Sequence, residues 1–325
     1  MRRILISSMA AIVAALIAAA PATASYGAPS SPLLWEKQTW NDGTGSVSSA
    51  ILGAGGTLTS CDNASGDQLC TFGRTAVSPD GSRLVVSRHP LSSSGFFSGS
   101  GLGVGTLELF DANGANPQTL PQLTASDTQP AFLPGGQRIV FTGRWTAKAP
   151  SQLFEVNVDG TGLRQLTFRG GSWAAPCPDG AIVFDRGANL WLIPAHGTRW
   201  TRLVRDGSEP DCSPNSSQVV YVTLAPTQLA VIGLSGRGGR LLPHGSGADE
   251  EPDRPAWLYS PAFSPDGRSI AYLRNYDVLS EDGSRDELDV SDLSGRIQMR
   301  TDIADNGTGS YSEESDQSVT QYVSW

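Results

Sequence analysis

The chain is short of the residues from which most catalytic and metal sites are built. Among 325 residues there are 3 His, 4 Cys, 3 Met and 2 Lys, the latter Lys37 and Lys148. A zinc centre gathers several imidazoles or thiolates, and His89, His196 and His244 are too widely scattered to supply one. A phosphate loop places Lys directly after Gly, and neither lysine follows a glycine. No Gly-x-Ser-x-Gly elbow occurs, and no Gly-x-Gly pair extends to the dinucleotide pattern. The formal net charge of −9 and the lack of clustered bases exclude nucleic acid as the partner. No helical periodicity is sustained beyond the first turns of the chain, and 37 Gly with 21 Pro exclude a coiled coil.

One long apolar run does exist, and it lies at the N-terminus. Arg2 and Arg3 precede an apolar and small-residue stretch from Ile4 to Ala20, followed by Ala22-Thr23-Ala24. This is the layout of an export signal, residues 1–24, with cleavage expected after Ala24 and no transmembrane segment remaining afterwards. Residues 25–32 then form a short tail, and residues 33–325 a single domain. Export places the chain in an oxidising compartment: secreted, extracellular, periplasmic or associated with the cell envelope.

A repeat is carried by the turns. Ala76-Val77-Ser78-Pro79-Asp80-Gly81, Ala131-Phe132-Leu133-Pro134-Gly135-Gly136, Ala175-Pro176-Cys177-Pro178-Asp179-Gly180 and Ala262-Phe263-Ser264-Pro265-Asp266-Gly267 share one core, and Asp211-Cys212-Ser213-Pro214-Asn215-Ser216 is a degenerate fifth copy. Proline presets the first central position of a turn, while Asp-Gly or Asn tolerates positive φ. Each turn is followed by a β-forming run, such as Arg138-Ile139-Val140-Phe141, and then by a second hairpin, such as Leu153 to Val156 joined to Leu163 to Leu166 through Asp159-Gly160. The expected unit is four antiparallel strands.

These units resemble the WD-repeat-like blades of the TolB-like β-propeller family, on the Ser-Pro-Asp-Gly turns and the Phe-x-Val-x-x-Asp-Gly pattern beginning at Phe154. The resemblance implies an all-β, six-bladed propeller and an envelope-associated protein partner. Five anchors leave one blade to be completed. Gln321-Tyr322-Val323-Ser324-Trp325 matches a first strand stopped before its turn, so the C-terminal strand is expected to pair with the N-terminal segment and close the ring.

Strand alternation puts the turns after first and third strands on one face and the other connections on the opposite face. The long connections, 88–106, 142–151, 243–261, 273–287 and 303–320, all fall on the second. Residues 249–317 hold 17 Asp or Glu and 6 Arg, so the negative charge belongs to one arc. A binding face is therefore expected from Trp145, Asp249, Asp253, Trp257, Tyr259, Asp282, Asp286 and Asp305, with Trp257 and Tyr259 equally readable as blade packing. No catalytic residue and no metal ligand is assigned, and no cofactor is required. Calcium is the one candidate ion, from Asp302 to Gly307, which has carboxylates but not the full calcium-loop pattern.

Four cysteines in an exported chain suggest two disulfides, with three possible connectivities. Cys61 and Cys70 would staple a short polar loop; Cys177 and Cys212 could bridge consecutive blades or remain free buried thiols. The resulting reading is a monomeric, non-enzymatic interaction module for a protein or cell-envelope component. The alternative is a propeller-type carbohydrate-active enzyme, a lyase or glycosidase, using loop carboxylates as acid and base.

Overall fold

The computed structural model describes residues 33–41, 46–53, 55–61, 70–90, 104–196, 199–243, 256–277, 284–306 and 316–325. These form 24 strands in six four-stranded antiparallel sheets, with no helix among the described residues. Blade one begins with β1 (Leu34–Asn41), β2 (Ser46–Gly53) and β3 (Gly56–Ser60). Blade two is β4 (Cys70–Val77), β5 (Arg83–Pro90), β6 (Thr106–Asp111) and β7 (Gln118–Thr119). Blade three is β8 (Asp127–Phe132), β9 (Arg138–Gly143), β10 (Gln152–Asn157) and β11 (Arg164–Gln165). Blade four is β12 (Ser172–Pro176), β13 (Ile182–Asp185), β14 (Asn189–Ile193) and β15 (Thr201–Arg205). Blade five is β16 (Gly207–Cys212), β17 (Gln218–Thr223), β18 (Leu229–Gly233) and β19 (Arg240–Leu241). Blade six is β20 (Trp257–Phe263), β21 (Ser269–Asp277), β22 (Ser284–Asp292) and β23 (Ile297–Asn306). The last strand, β24 (Asp316–Ser324), adds to β1, giving blade one the order β24-β1-β2-β3. Both chain ends thus share a sheet, with Trp35 opposite Val323 and Leu34 opposite Ser324.

The anchor turns show why the repeat has its sequence. Ser78 Oγ bonds the Asp80 carboxylate at 2.6 Å and accepts the Arg83 N–H at 2.9 Å, and Gly81 takes φ +70°. The bonds from Ser78 and then Ser82 hold the exposed Asp80 carboxyl down to about 2. Ser264, Asp266 and Gly267 repeat the arrangement. The degenerate copy works the same way: Ser213 Oγ contacts Asn215 at 2.9 Å, and Ser216 adopts φ +53° in place of Gly.

The core lies between blades. Val140, Leu153 and Phe184 join blades three and four, and Val220, Val231 and Tyr272 join blades five and six. Both cysteine pairs are bonded. Cys61–Cys70 closes the segment between β3 and β4 with Cα atoms 5.6 Å apart. Cys177–Cys212 ties blade four to blade five with Cα atoms 5.2 Å apart. It closes a loop 35 residues long, for which chain entropy gives about 3–4 kcal/mol. Cys177→Ala/Cys212→Ala should therefore lose roughly that much in urea denaturation, more than Cys61→Ala/Cys70→Ala, whose loop is 9 residues. Equal losses would show that strain or residual structure sets the cost instead.

Blade six departs from expectation. Residues 273–287, expected as an irregular loop, are mostly strand: β21 continues to Asp277 and β22 resumes at Ser284. The stretch from 303 is likewise strand to Asn306. The reason is charge pairing across the ladder, where Arg274 sits opposite Glu287 and Asn275 opposite Asp286, so residues that look like solvated loop are sheet interior.

Candidate functional site

Each of the innermost strands β4, β8, β12, β16 and β20 carries an irregularity at one position. Register breaks fall between Phe72 and Thr75, Thr128 and Ala131, Ser172 and Ala175, Ser208 and Asp211, and Tyr259 and Ala262. Such a bulge leaves backbone groups outside the ladder and turns a side chain away from its usual face. Here it sets a ring of residues five places before the anchor prolines: Arg74, Gln129, Trp173, Glu209 and Ser260. The last four have φ between +51° and +52°, a region that costs a non-glycine residue about 1–2 kcal/mol. The neighbouring blade satisfies the freed amides. Trp173 N–H donates to Gln129 Oε1 at 3.2 Å, Ser260 N–H donates to Glu209, and Glu209 N–H donates to Asp185 Oδ2 at 3.1 Å.

Each inner strand runs from the long-connection face to the anchor-turn face. The turn-side half of the channel forms a cavity of about 360 Å³. Pro79, Pro178, Pro214 and Pro265 stand round its mouth with Trp325, and Arg74, Trp173, Glu209 and Asp211 lie deeper. Arg74 donates to the Ala174 carbonyl at 3.1 Å, and its guanidinium lies 5.5 Å from the Trp173 ring centroid. Asp211 Oδ2 accepts the Phe263 N–H at 2.7 Å. Burial pushes the Asp211 carboxyl up to about 6, against the pull of that hydrogen bond and of Arg74. Burial also raises Glu209 and raises Asp185 well above the usual carboxylate range, with Arg74 opposing both. One guanidinium thus faces three carboxylates, and desolvation outweighs it at each.

The opposite face carries the exposed apolar side chains. Among the described residues, the large exposed hydrophobics are Val104, Trp145, Phe168, Leu224, Leu241 and Trp257. All but Leu241 lie on, or directly after, connections of the long-loop face. Phe168 is 72% exposed, Trp257 70% and Trp145 54%. Trp145 is held upright by an edge contact with Phe154 at 4.9 Å and by its indole N–H bond to Gln165 at 2.7 Å. Trp257, equally readable as packing, stands in solvent.

The remaining expected site residues are divided. Asp286 is 1% exposed, accepting from Tyr259 Oη at 3.1 Å and Asn275 Nδ2 at 2.8 Å. Asp286 and the half-buried Tyr259 therefore belong to the blade interior rather than to an exposed acidic rim, because β22 is covered on both faces, with Asp286, Glu287, Leu288, Asp289 and Val290 all buried. Asp305 lies in β23 opposite Arg285, with its side chain outside the described residues. Asp249, Asp253 and Asp282 lie outside the described residues altogether, as does Gly307 of the calcium candidate. No group of three or more His, Cys, Asp or Glu suited to a metal occurs among the described residues, and they contain no helix long and apolar enough to cross a membrane.

The channel carboxylates were missed in the sequence, although the signal was there. Three places before each anchor proline stand Ala76, Ala131, Ala175 and Ala262, and in the degenerate copy Asp211.

No family model and no curated protein matches the sequence. Solved structures do match in fold. TolB from Acinetobacter baumannii superposes with a TM-score of 0.62 at 16% identity, over 90% of this chain and 66% of that one, so this chain spans slightly less than two thirds of its length. A TolB from Agrobacterium tumefaciens described as putative gives a TM-score of 0.57 at 16% identity, over 89% and 98% of the two chains. A chain of a nidogen/laminin complex gives 0.53 at 12% identity, over 90% and 97%. The chain is an all-β, six-bladed propeller with the fold of the TolB structures.

Proposed function

We propose that the protein is an exported interaction module that binds a protein partner, or another component of the cell envelope, on its long-loop face. The observation that carries this reading is the exposure of Trp145, Trp257, Val104 and Leu224 on or beside the connections of one side of a rigid ring. Exposed apolar surface of this kind marks interaction sites, and aromatic anchors dominate their energetics. The sequence adds Asp249, Asp253 and Asp282, outside the described residues, whose negative charge favours a partner with a basic rim. The leader-like N-terminus and two disulfides support an oxidising compartment. The TolB likeness supports the assignment as analogy of fold.

The test is capture from the native cell envelope by the full chain and by Trp257→Ala and Trp145→Ala. Both side chains are exposed, so melting temperatures should stay within the range of neutral surface changes, about ±0.5 kcal/mol. Loss of a hot-spot anchor should weaken a captured partner by about 30-fold or more. A partner held equally by the double variant would overturn the loop-face assignment.

A further inference from the structure

The channel offers a second site, independent of the loop face and opening on the opposite side. We propose that the turn-face half of the channel binds an organic cation, a guanidinium or ammonium group on a slim apolar stem, held between Glu209 and Asp211.

The argument rests on where the internal repeat is broken. Glu209 accepts the freed Ser260 N–H, a task Gln129 performs in blade three with a neutral amide, bonding the next blade's Trp173 N–H at 3.2 Å, and blades two and four carry the bulge with Arg74 and Trp173 at that place. A charge at residue 209 is therefore surplus to the fold. Asp211 is the sharper exception, since blades two, three, four and six place Ala76, Ala131, Ala175 and Ala262 there. Both departures occur on β16, both line the same cavity, and together they put two carboxylates where the other blades put none. Behind them, the buried Asp185 Oδ1 has no hydrogen-bond partner among the described residues, while Oδ2 of the same carboxylate holds the Glu209 N–H.

The walls suit the stem of such a ligand. Ala76, Ala131, Phe132, Ala262 and the mouth prolines are apolar and slender, so a chain of methylenes can lie along them while its charged head reaches the carboxylates. Arg74 shows that this environment accepts a guanidinium, since its own lies over Trp173 in the same cavity. Asp185 is held largely protonated by burial, so the charges that face the cavity are those of Glu209 and Asp211, of which Arg74 offsets one and leaves an attraction for a second cation. A metal ion is a poorer match, as no cluster with suitable ligand geometry is present among the described residues.

The carboxylates also act against folding. Asp211 titrates near 6 in the folded chain against an ordinary 3.8. A raised carboxyl favours the folded state below the ordinary value, and that contribution is lost as pH rises through about 6. Retaining groups that weaken the fold at neutral pH is what a binding site does.

The experiment is calorimetric titration of the full chain with butylguanidinium and with butylammonium, using 1-butanol as the neutral control, and an acetylated arginine amide to ask whether a residue of a peptide serves as the source. One-to-one binding of the cations and none of 1-butanol is expected. Asp211→Ala and Glu209→Gln, each borrowing the residue of another blade, should lower affinity by about tenfold or more, the loss typical of one charged partner. At neutral pH Asp211→Ala should weaken binding without lowering the melting temperature, whereas a purely structural Asp211 would lose both together. Affinity should fall by about tenfold between about pH 7.5 and pH 5 as Asp211 protonates, with Arg74, Glu209 and Asp185 as the charged or titratable neighbours facing it. Absence of cation binding, or equal binding by the Asp211→Ala/Glu209→Gln variant, overturns the site. Neither result bears on the loop-face reading.

Discussion

Removing Tyr322 to Trp325 is expected to destabilise the whole ring by at least about 4 kcal/mol, a loss beyond the range of ordinary point changes. The residues form the end of the inner strand of blade one, β24. Val323 is buried among Ala262, Leu273, Leu288 and Val290, with Trp35 and Trp325 packed against the cluster. Burying a valine contributes about 1.5–3 kcal/mol, and removing it leaves a cavity against a neighbouring blade, which adds further cost. The Val323 N–H donates to Ser260 Oγ at 3.0 Å, so the strand is also tied to blade six. Without it, the inner edge of β1 loses its ladder partner from Leu34 to Glu36, and an unpaired inner edge would open onto the channel. Urea denaturation should still show one transition at a much lower midpoint, because the seam joins the first blade to the last. A truncated chain as stable as the parent would mean that the ring closes without the buried end of its terminal strand.

That closure was readable because it rests on local pattern. The anchor turns are set by Ser, Pro, Asp and Gly within a few residues of one another, and alternating apolar runs mark each following strand. The same locality made the degenerate copy at Ser213 visible, since Asn and Ser replace Asp and Gly at equivalent tasks. What the sequence did not yield is what depends on partners distant along the chain. Arg274, Asp286 and Glu287 look like solvated loop charges until the ladder sets β21 against β22, and only then does Arg274 meet Glu287 while Asp286 accepts from Tyr259 and Asn275. The cavity was missed for another reason. Connections were sorted by length, which points to the face with long loops, whereas the channel is lined by the inner strands and opens between short turns. Trp257 and Tyr259, two residues apart, share one face of β20 and were indistinguishable by composition or by the pleat; Trp257 stands in solvent at the start of the strand, and Tyr259, further in, is covered by the neighbouring strands and reaches Asp286.

The buried charges of blade six yield the second large expected effect. Arg274 is 0% exposed, and its guanidinium lies 2.7 Å from Glu287 Oε2 and 4.4 Å from the Tyr276 ring centroid. Glu287 also accepts from Tyr276 Oη at 2.8 Å and lies 3.2 Å from Arg300, which in turn reaches Asp289 at 2.7 Å. Arg274→Met preserves much of the volume but removes the buried cation from beside Glu287. Breaking such a pair costs about 3–5 kcal/mol, because the remaining charge has already been taken from water. Arg300 and Tyr276 remain in contact with Glu287, which places the expected loss toward the lower end of that range. Arg274→Met/Glu287→Leu should recover most of it, since an apolar replacement leaves no charge to desolvate. The double-mutant cycle in urea denaturation separates the two accounts. If the double variant is as unstable as Arg274→Met alone, the loss comes from packing against Tyr276 rather than from a stranded carboxylate. If it recovers, the long hairpin of blade six stands because its charges are paired inside the sheet, and the negative arc seen in the sequence is in part an interior network.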